Sequence, residues 1–155
     1  MPTPDFILSL REKIGQAPLW LPGVTAVVVD DSRVLLVRRA DNGEWAPVTG
    51  IIDPEEEPAR AAVREVLEET SVVAEATRLV CVGASPLRAH ANGDLAAYLD
   101  LTFRCQYVTG DARVGDDESV EVAWVDADAL PAMRTEHRDR IAAALEDRSE
   151  ARFVR

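Results

Sequence analysis

Glu65, Glu68 and Glu69 stand at positions i, i+3 and i+4 of a 155-residue chain. On a helix of 3.6 residues per turn, that spacing gathers three carboxylates within an arc of about 100°. Like charges so placed repel, and each pair weakens an isolated helix by roughly a few tenths of a kcal/mol. Hard oxygen ligands clustered at the expense of their own helix are what a site for Mg²⁺ or Mn²⁺ looks like. The competing reading is a solvated acidic face with Arg60 and Arg64 as intrahelical partners. Taken alone, the triplet fits that reading better.

The elements that would position these carboxylates follow from local pattern. A helix is predicted from about Pro58 to Thr70, since Pro58 suits the first helical position and the acidic run 55–57 suits the N-terminal dipole. Its Ala59, Ala62, Val63, Val66 and Leu67 form a separate arc of roughly 140° for packing on a sheet. A second amphipathic helix is expected over Asp5–Ile14, stopped by Gly15. Val24–Val29 and Val34–Val37 predict a hairpin, and Trp45–Ile52 a short strand and turn. Val72–Val82, Leu95–Tyr107 and Val120–Val125 predict three further strands. Asp126–Leu130 predicts a helical turn before Pro131, and Arg134–Leu145 a closing helix. The order α-β-β-β-α-β-β-β-α implies one mixed α/β (α+β) domain over 1–155, its sheet covered on both faces.

Around the triplet a longer pattern is present. Gly50, Glu56, Arg64, Glu65, Val66, Glu68, Glu69 and Val72 fall on the frame Gly, five residues, Glu, seven residues, Arg-Glu-aliphatic-x-Glu-Glu-x-Gly-aliphatic. Residues 50–72 therefore resemble the Nudix box of the MutT-like hydrolases, with Ser71 in place of the second Gly. Eight matches at nine fixed offsets arise by chance on the order of once in 10⁵ chains or fewer, which reverses the surface reading of the triplet. The resemblance implies an α/β/α sandwich with a mixed sheet. It implies that Glu65, Glu68 and Glu69 coordinate Mg²⁺ (or Mn²⁺), helped by the carbonyl of Gly50. It also implies that Glu65 orients or deprotonates the attacking water, while Arg64 and Glu56 fix the loop and the Glu65 rotamer. The reaction class is metal-dependent hydrolysis of a nucleoside diphosphate linked to another moiety.

Two departures stand out. Pro47-Val48-Thr49-Gly50 keeps only the last Gly of a Pro-Gly-Gly approach to the box. Ser71 occupies a helix C-terminal position suited to left-handed backbone, at a cost of about 1 kcal/mol. Neither removes a carboxylate. Further residues are singled out by position relative to the box. Glu118, then Asp117, of the acidic 116–118 loop are candidates for another ligand or base, against an ordinary acidic hairpin loop. Arg38, Arg39 and Trp45 sit where relatives contact substrate, Arg offering a fork to phosphate and Trp a stacking face. Asn92 and Asp94, followed by Tyr98 and Asp100, could form a specificity loop, although a bare turn also accounts for Asn92-Gly93. His90 and His137 lack a partner at ligand spacing and are read as incidental.

Composition narrows the partners. The net charge is −11, with 28 acids against 17 bases, which argues against a nucleic-acid backbone or an anionic membrane. The acidity is local. Asp53–Glu69 holds seven acids and two arginines, Asp116–Asp128 six acids and no base, and the rest of the chain balances. Cys81 and Cys105 are too few for a disulfide scaffold. The absence of a signal peptide or membrane span predicts a soluble, cytoplasmic protein. A nucleoside triphosphate or an ADP-ribose-like nucleotide-sugar is the expected substrate. The alternatives are a nucleotide-sensing domain without turnover, which a degraded box would have signalled, and a homodimer formed through the Asp5–Ile14 helix.

Overall fold

The computed structural model describes residues 3–90 and 92–154. Its elements run α1 (Asp5–Ile14), β1 (Leu19–Asp30), β2 (Arg33–Arg39), β3 (Trp45–Ala46), β4 (Val48–Ile51) and α2 (Pro58–Thr70). They continue with β5 (Val73–Ala84), β6 (Arg88–Ala89), β7 (Leu95–Thr109), β8 (Ser119–Asp126) and α3 (Thr135–Leu145). β1 organises the mixed sheet. It turns antiparallel into β2 at Asp30–Arg33, pairs antiparallel with β4 over Gly23–Ala26, and runs parallel to β7 over Leu19–Val29. β5 extends the sheet beyond β7, and β8 and β3 flank β2.

The unbroken apolar run of β1 has a simple cause: both of its faces are covered. Val24, Ala26 and Val28 pack into one core with Ala61, Ala62 and Val66 of α2. The alternate residues Val27 and Val29 pack into a second core with Ile141 and Ala144 of α3. Leu21, of the same parity as Val27, meets Ile7 of α1 and Ala96 of β7. So α1 and α3 share one face of the sheet and α2 covers the other, which is the expected α/β/α sandwich.

Local expectations are met at α1, α2 and Ser71. The last adopts φ 59, left-handed, and its N–H closes the helix on the Leu67 carbonyl at 3.0 Å. Four expectations need correction. Pro22 and Gly23 do not delay β1, because the parallel register with β7 runs through them from Leu19. Asp126–Leu130 makes a single turn, closed by Ala129 N–H on the Asp126 carbonyl at 2.9 Å, rather than a helical segment. α3 starts at Thr135, with Arg134 as its extended N-cap.

The fourth correction concerns α2 itself. Its buried residues are Ala61, Ala62, Glu65, Val66, Glu69 and Thr70, while Leu67 is 51% exposed. Relative to the apolar arc read from sequence, the helix is rolled by about 80° towards its acidic side. Two of the three carboxylates therefore lie inside the helix–sheet interface rather than on a separate face.

Candidate active site

The approach to α2 is held together by one guanidinium. Arg64 grips Glu56 through two parallel bonds of 2.8 Å, from Nε to Oε1 and from Nη2 to Oε2. Glu56 Oε2 also accepts the Asp53 N–H at 3.1 Å, and Arg64 Nη2 reaches the Ile51 carbonyl at 3.2 Å. Arg64 thus ties the end of β4, the 53–57 loop and α2 into one unit, with the geometry that makes charge-assisted pairs strong. The same guanidinium holds the Glu56 carboxyl below its ordinary range. Through Nη1, Arg64 contacts Glu65 Oε1 at 2.9 Å and Glu68 Oε2 at 3.2 Å.

Glu65 and Glu69 are only 2% and 4% exposed. Burial is the main force on both: it pushes Glu65 up to about 7, against the pull of Arg64, and Glu69 up to about 8. The Glu118 carboxylate raises both further. Gly50 makes room for this pair, since a Cβ there would approach the Glu65 carboxyl closer than 3.0 Å. Around Glu69 the described neighbours offer one weak donor, Ser119 Oγ at 3.4 Å.

The 110–118 loop closes the site from the far side. Arg113 N–H donates to the Thr70 carbonyl at 3.0 Å and Gly115 N–H to the Glu69 carbonyl at 2.8 Å. Gly115 is required, because a Cβ there would run into the Glu68 carbonyl. Ala40 N–H takes the Glu118 carbonyl at 2.8 Å, and Glu118 N–H donates to Asp116 Oδ1 at 3.1 Å. The two acidic segments of the sequence are thereby brought against each other. Asp117 and Glu118 both line the cleft that begins here.

This donor set suits a hard divalent cation: every candidate ligand is oxygen, and the two most buried carboxylates raise each other's proton affinity, which an added cation would offset. Among the described residues, no three ligating side chains converge closely enough to hold an ion as they stand. Arg64 Nη1 lies between Glu65 and Glu68 instead, so an ion would draw the half-exposed Glu68 away from Arg64.

The cleft, about 980 Å³, is lined by Gly50, Glu65, Asp117 and Glu118 together with residues of β7 and α3, while Glu68 and Glu69 stand outside its lining. Of the substrate-contact residues expected from sequence, the structure brings Arg39 to it. A register shift in the β2–β8 ladder falls between Arg38 and Arg39, and Asp41 clamps the Arg39 guanidinium at 2.8 and 2.9 Å. The others lie off the cleft lining. Arg38 bonds the Gly43 carbonyl at the exposed side of β2, and Trp45 packs on the α3-side core. Asn92 and Asp94 close their own turn and dock α1, through Gln16 Nε2 on the Asn92 carbonyl and Arg11 on Asp94.

Of the opposite wall, sequence reading had Tyr98 and Asp100 as followers of the 92–94 loop, set His137 aside and missed Arg140. His137 and Arg140 of α3, with Tyr98 and Asp100 of β7, line the same cleft. His137 is not incidental in position: it is 8% exposed, its Nδ1 has no partner among the described residues, and burial together with Arg140 pushes it down to about 4. Alternation of Tyr98, Asp100 and Thr102 along one strand was the available signal.

Comparison with known proteins agrees with this geometry. The NUDIX domain family matches residues 20–145. The chain is 33% identical over 124 residues to a MutT-like protein of Streptomyces ambofaciens, covering 79% of this chain and 75% of that one. It is 28% identical over 117 residues to an ADP-ribose pyrophosphatase of Methanocaldococcus jannaschii, covering 74% and 66%. Among solved structures, a MutT NUDIX hydrolase from Burkholderia pseudomallei superposes with TM-score 0.67 at 27% identity, over 81% of this chain and 98% of that one. The chain belongs to the NUDIX hydrolase family.

Proposed function

We propose that the chain hydrolyses a diphosphate bond in a nucleoside diphosphate linked to another moiety, using Mg²⁺ or Mn²⁺. Its substrate is a nucleoside triphosphate or an ADP-ribose-like nucleotide-sugar, and its compartment the cytoplasm, consistent with free Cys81 and Cys105. The observation that carries this reading is the buried Glu65–Glu69 pair, with Glu65 cradled by Gly50 at the end of a ligand-sized cleft and both carboxyls raised mainly by burial. Glu65, Glu68, Glu69, Glu118 and the Gly50 carbonyl would hold the ion. When bound, it lowers the pKa of a water and neutralises charge building on the diphosphate oxygens. Glu65 would take the proton of the attacking water. Arg64 and Glu56 keep Glu65 in place, and Arg39, its Nε and Nη2 held by Asp41, stands on the cleft wall with its fork already engaged.

A panel of nucleoside triphosphates, nucleotide-sugars and dinucleoside polyphosphates, incubated with Mg²⁺ or Mn²⁺ and followed by ³¹P NMR, tests the proposal. Turnover of at least one compound, abolished by EDTA, is expected. Tight binding of one nucleotide with no turnover of any would establish a nucleotide sensor instead.

A further inference from the structure

The wall of the cleft away from the carboxylates is built around one buried acid. Asp100 is 5% exposed, and both of its oxygens are occupied from within the protein. Thr25 Oγ1 donates to Oδ2 at 2.7 Å, and Thr102 Oγ1 to Oδ1 at 2.8 Å. Arg140 Nη1 stands 3.4 Å from Oδ2 and donates to Thr25 Oγ1 at 2.9 Å. Thr25 and Thr102 are fully buried and directly opposite each other in the β1–β7 register, so their rotamers have no freedom to spare. The arrangement fixes a guanidinium on the cleft wall through one nitrogen. Among the described residues, Nη2 and Nε of Arg140 carry no other partner.

Two features limit what that guanidinium can recognise. Asp100 already balances its charge, so it does not supply the surplus cation that a phosphate needs. Asp100's oxygens are engaged and Arg carries only donors, so what the Asp100–Arg140 unit offers a ligand is hydrogen-bond donors. A neutral, acceptor-bearing edge satisfies such a fork, whereas an amino group meets it donor to donor. Tyr98 lies two residues before Asp100 on the same face of β7 and also lines the cleft, supplying an aromatic surface for a planar group.

We propose that Arg140, oriented by Thr25, Asp100 and Thr102, is a specificity-determining residue that selects a nucleobase with a keto oxygen at purine C6 or pyrimidine C4 over one with an amino group at that position. The inference rests on the reading of the cleft as a nucleotide site and deepens it. Asp100 is a positioning residue that acts through Arg140.

Metal-free titration calorimetry with GMP, IMP and UMP against AMP and CMP, all in EDTA, tests this without any hydrolysis. The keto nucleotides should bind on the order of tenfold more tightly. Arg140→Lys keeps a cation for Asp100 but loses the planar fork, and should remove most of that preference while the protein stays folded by circular dichroism. Arg140→Met should remove it entirely; if that variant unfolds, the Lys variant still decides. Equal binding of keto and amino nucleotides, a preference unchanged in Arg140→Lys, or no binding of any monophosphate would each overturn the inference. A wild type that discriminates bases but hydrolyses nothing would refute the proposed hydrolysis and leave this assignment standing.

Discussion

Glu69 and Asp100 are both carboxylates of which at most 5% is exposed, Glu69 beside the Glu65 end of the cleft and Asp100 in its opposite wall, and the fold treats them in opposite ways. Asp100 has two buried threonine hydroxyls and a guanidinium. Glu69 has a serine hydroxyl at 3.4 Å, faces Glu65 and Glu118, and is pushed up to about 8. At that value Glu69 holds its proton near neutral pH, a proton that a bound cation would displace, whereas the fully served Asp100 holds position. On the proposed reading, the contrast separates the end that does chemistry from the end that holds and selects.

The largest expected effect breaks the chemical end. Glu69→Gln should lower turnover by at least about 100-fold, measured as kcat under saturating metal. Its stability should move the other way. Because the folded pKa of Glu69 lies above the ordinary 4.5, the stability linked to its protonated form is full below about 4.5 and is lost as pH rises through about 8. In EDTA at pH 9 the Gln variant should therefore melt above wild type; a lower Tm there would count against Glu69 as an unserved buried charge.

Arg64→Lys comes next. It keeps the charge but loses the two-pronged grip on Glu56, and should lower kcat by about 10–100-fold with KM changed less. An unchanged kcat would show that the guanidinium fork does not position Glu65.

Asp100→Asn sharpens the other side. Weakening charge-assisted bonds in a buried network costs about 2 kcal/mol, or about 4–8 °C in Tm for a chain of this size, with kcat within a few-fold. A large loss of kcat without a loss of stability would invert the roles assigned to the two ends.

The smallest effect concerns His137. Its folded pKa, about 4, lies below the ordinary 6.5, so the stability it contributes is present above about 6.5 and lost as pH falls through about 4. His137→Gln should flatten the fall in Tm between pH 7 and 4, whatever it does to Tm itself. An equally steep fall would remove His137 as the titrating group.

What the sequence made legible divides along the same line. α2, its Pro58 start, the left-handed Ser71 and the Gly50–Glu69 frame are set by neighbours within one or two turns, and local spacing reveals them. The roll of α2 was not legible, because it depends on how the sheet receives Ala61 and Ala62 and on the room Gly50 leaves for Glu65. The Asp100 network was beyond reach for a plainer reason: Thr25 is 75 residues from Asp100 and 115 from Arg140. Those residues meet through the parallel register of β1 and β7, which no single-sequence pattern encodes. The misplacement of Asn92 and Asp94 has the same origin, since their turn is used to seat α1.

The most direct test is a Mn²⁺ titration of wild type and Glu69→Gln, with free ion read from its electron paramagnetic resonance signal at pH 8 and without nucleotide. Wild type should remove Mn²⁺ from solution at or above one ion per chain, and Glu69→Gln should bind at least tenfold more weakly while remaining folded. Equal uptake by the two proteins, or none by wild type, would contradict the claim that the buried glutamates of α2 are there to hold a metal ion.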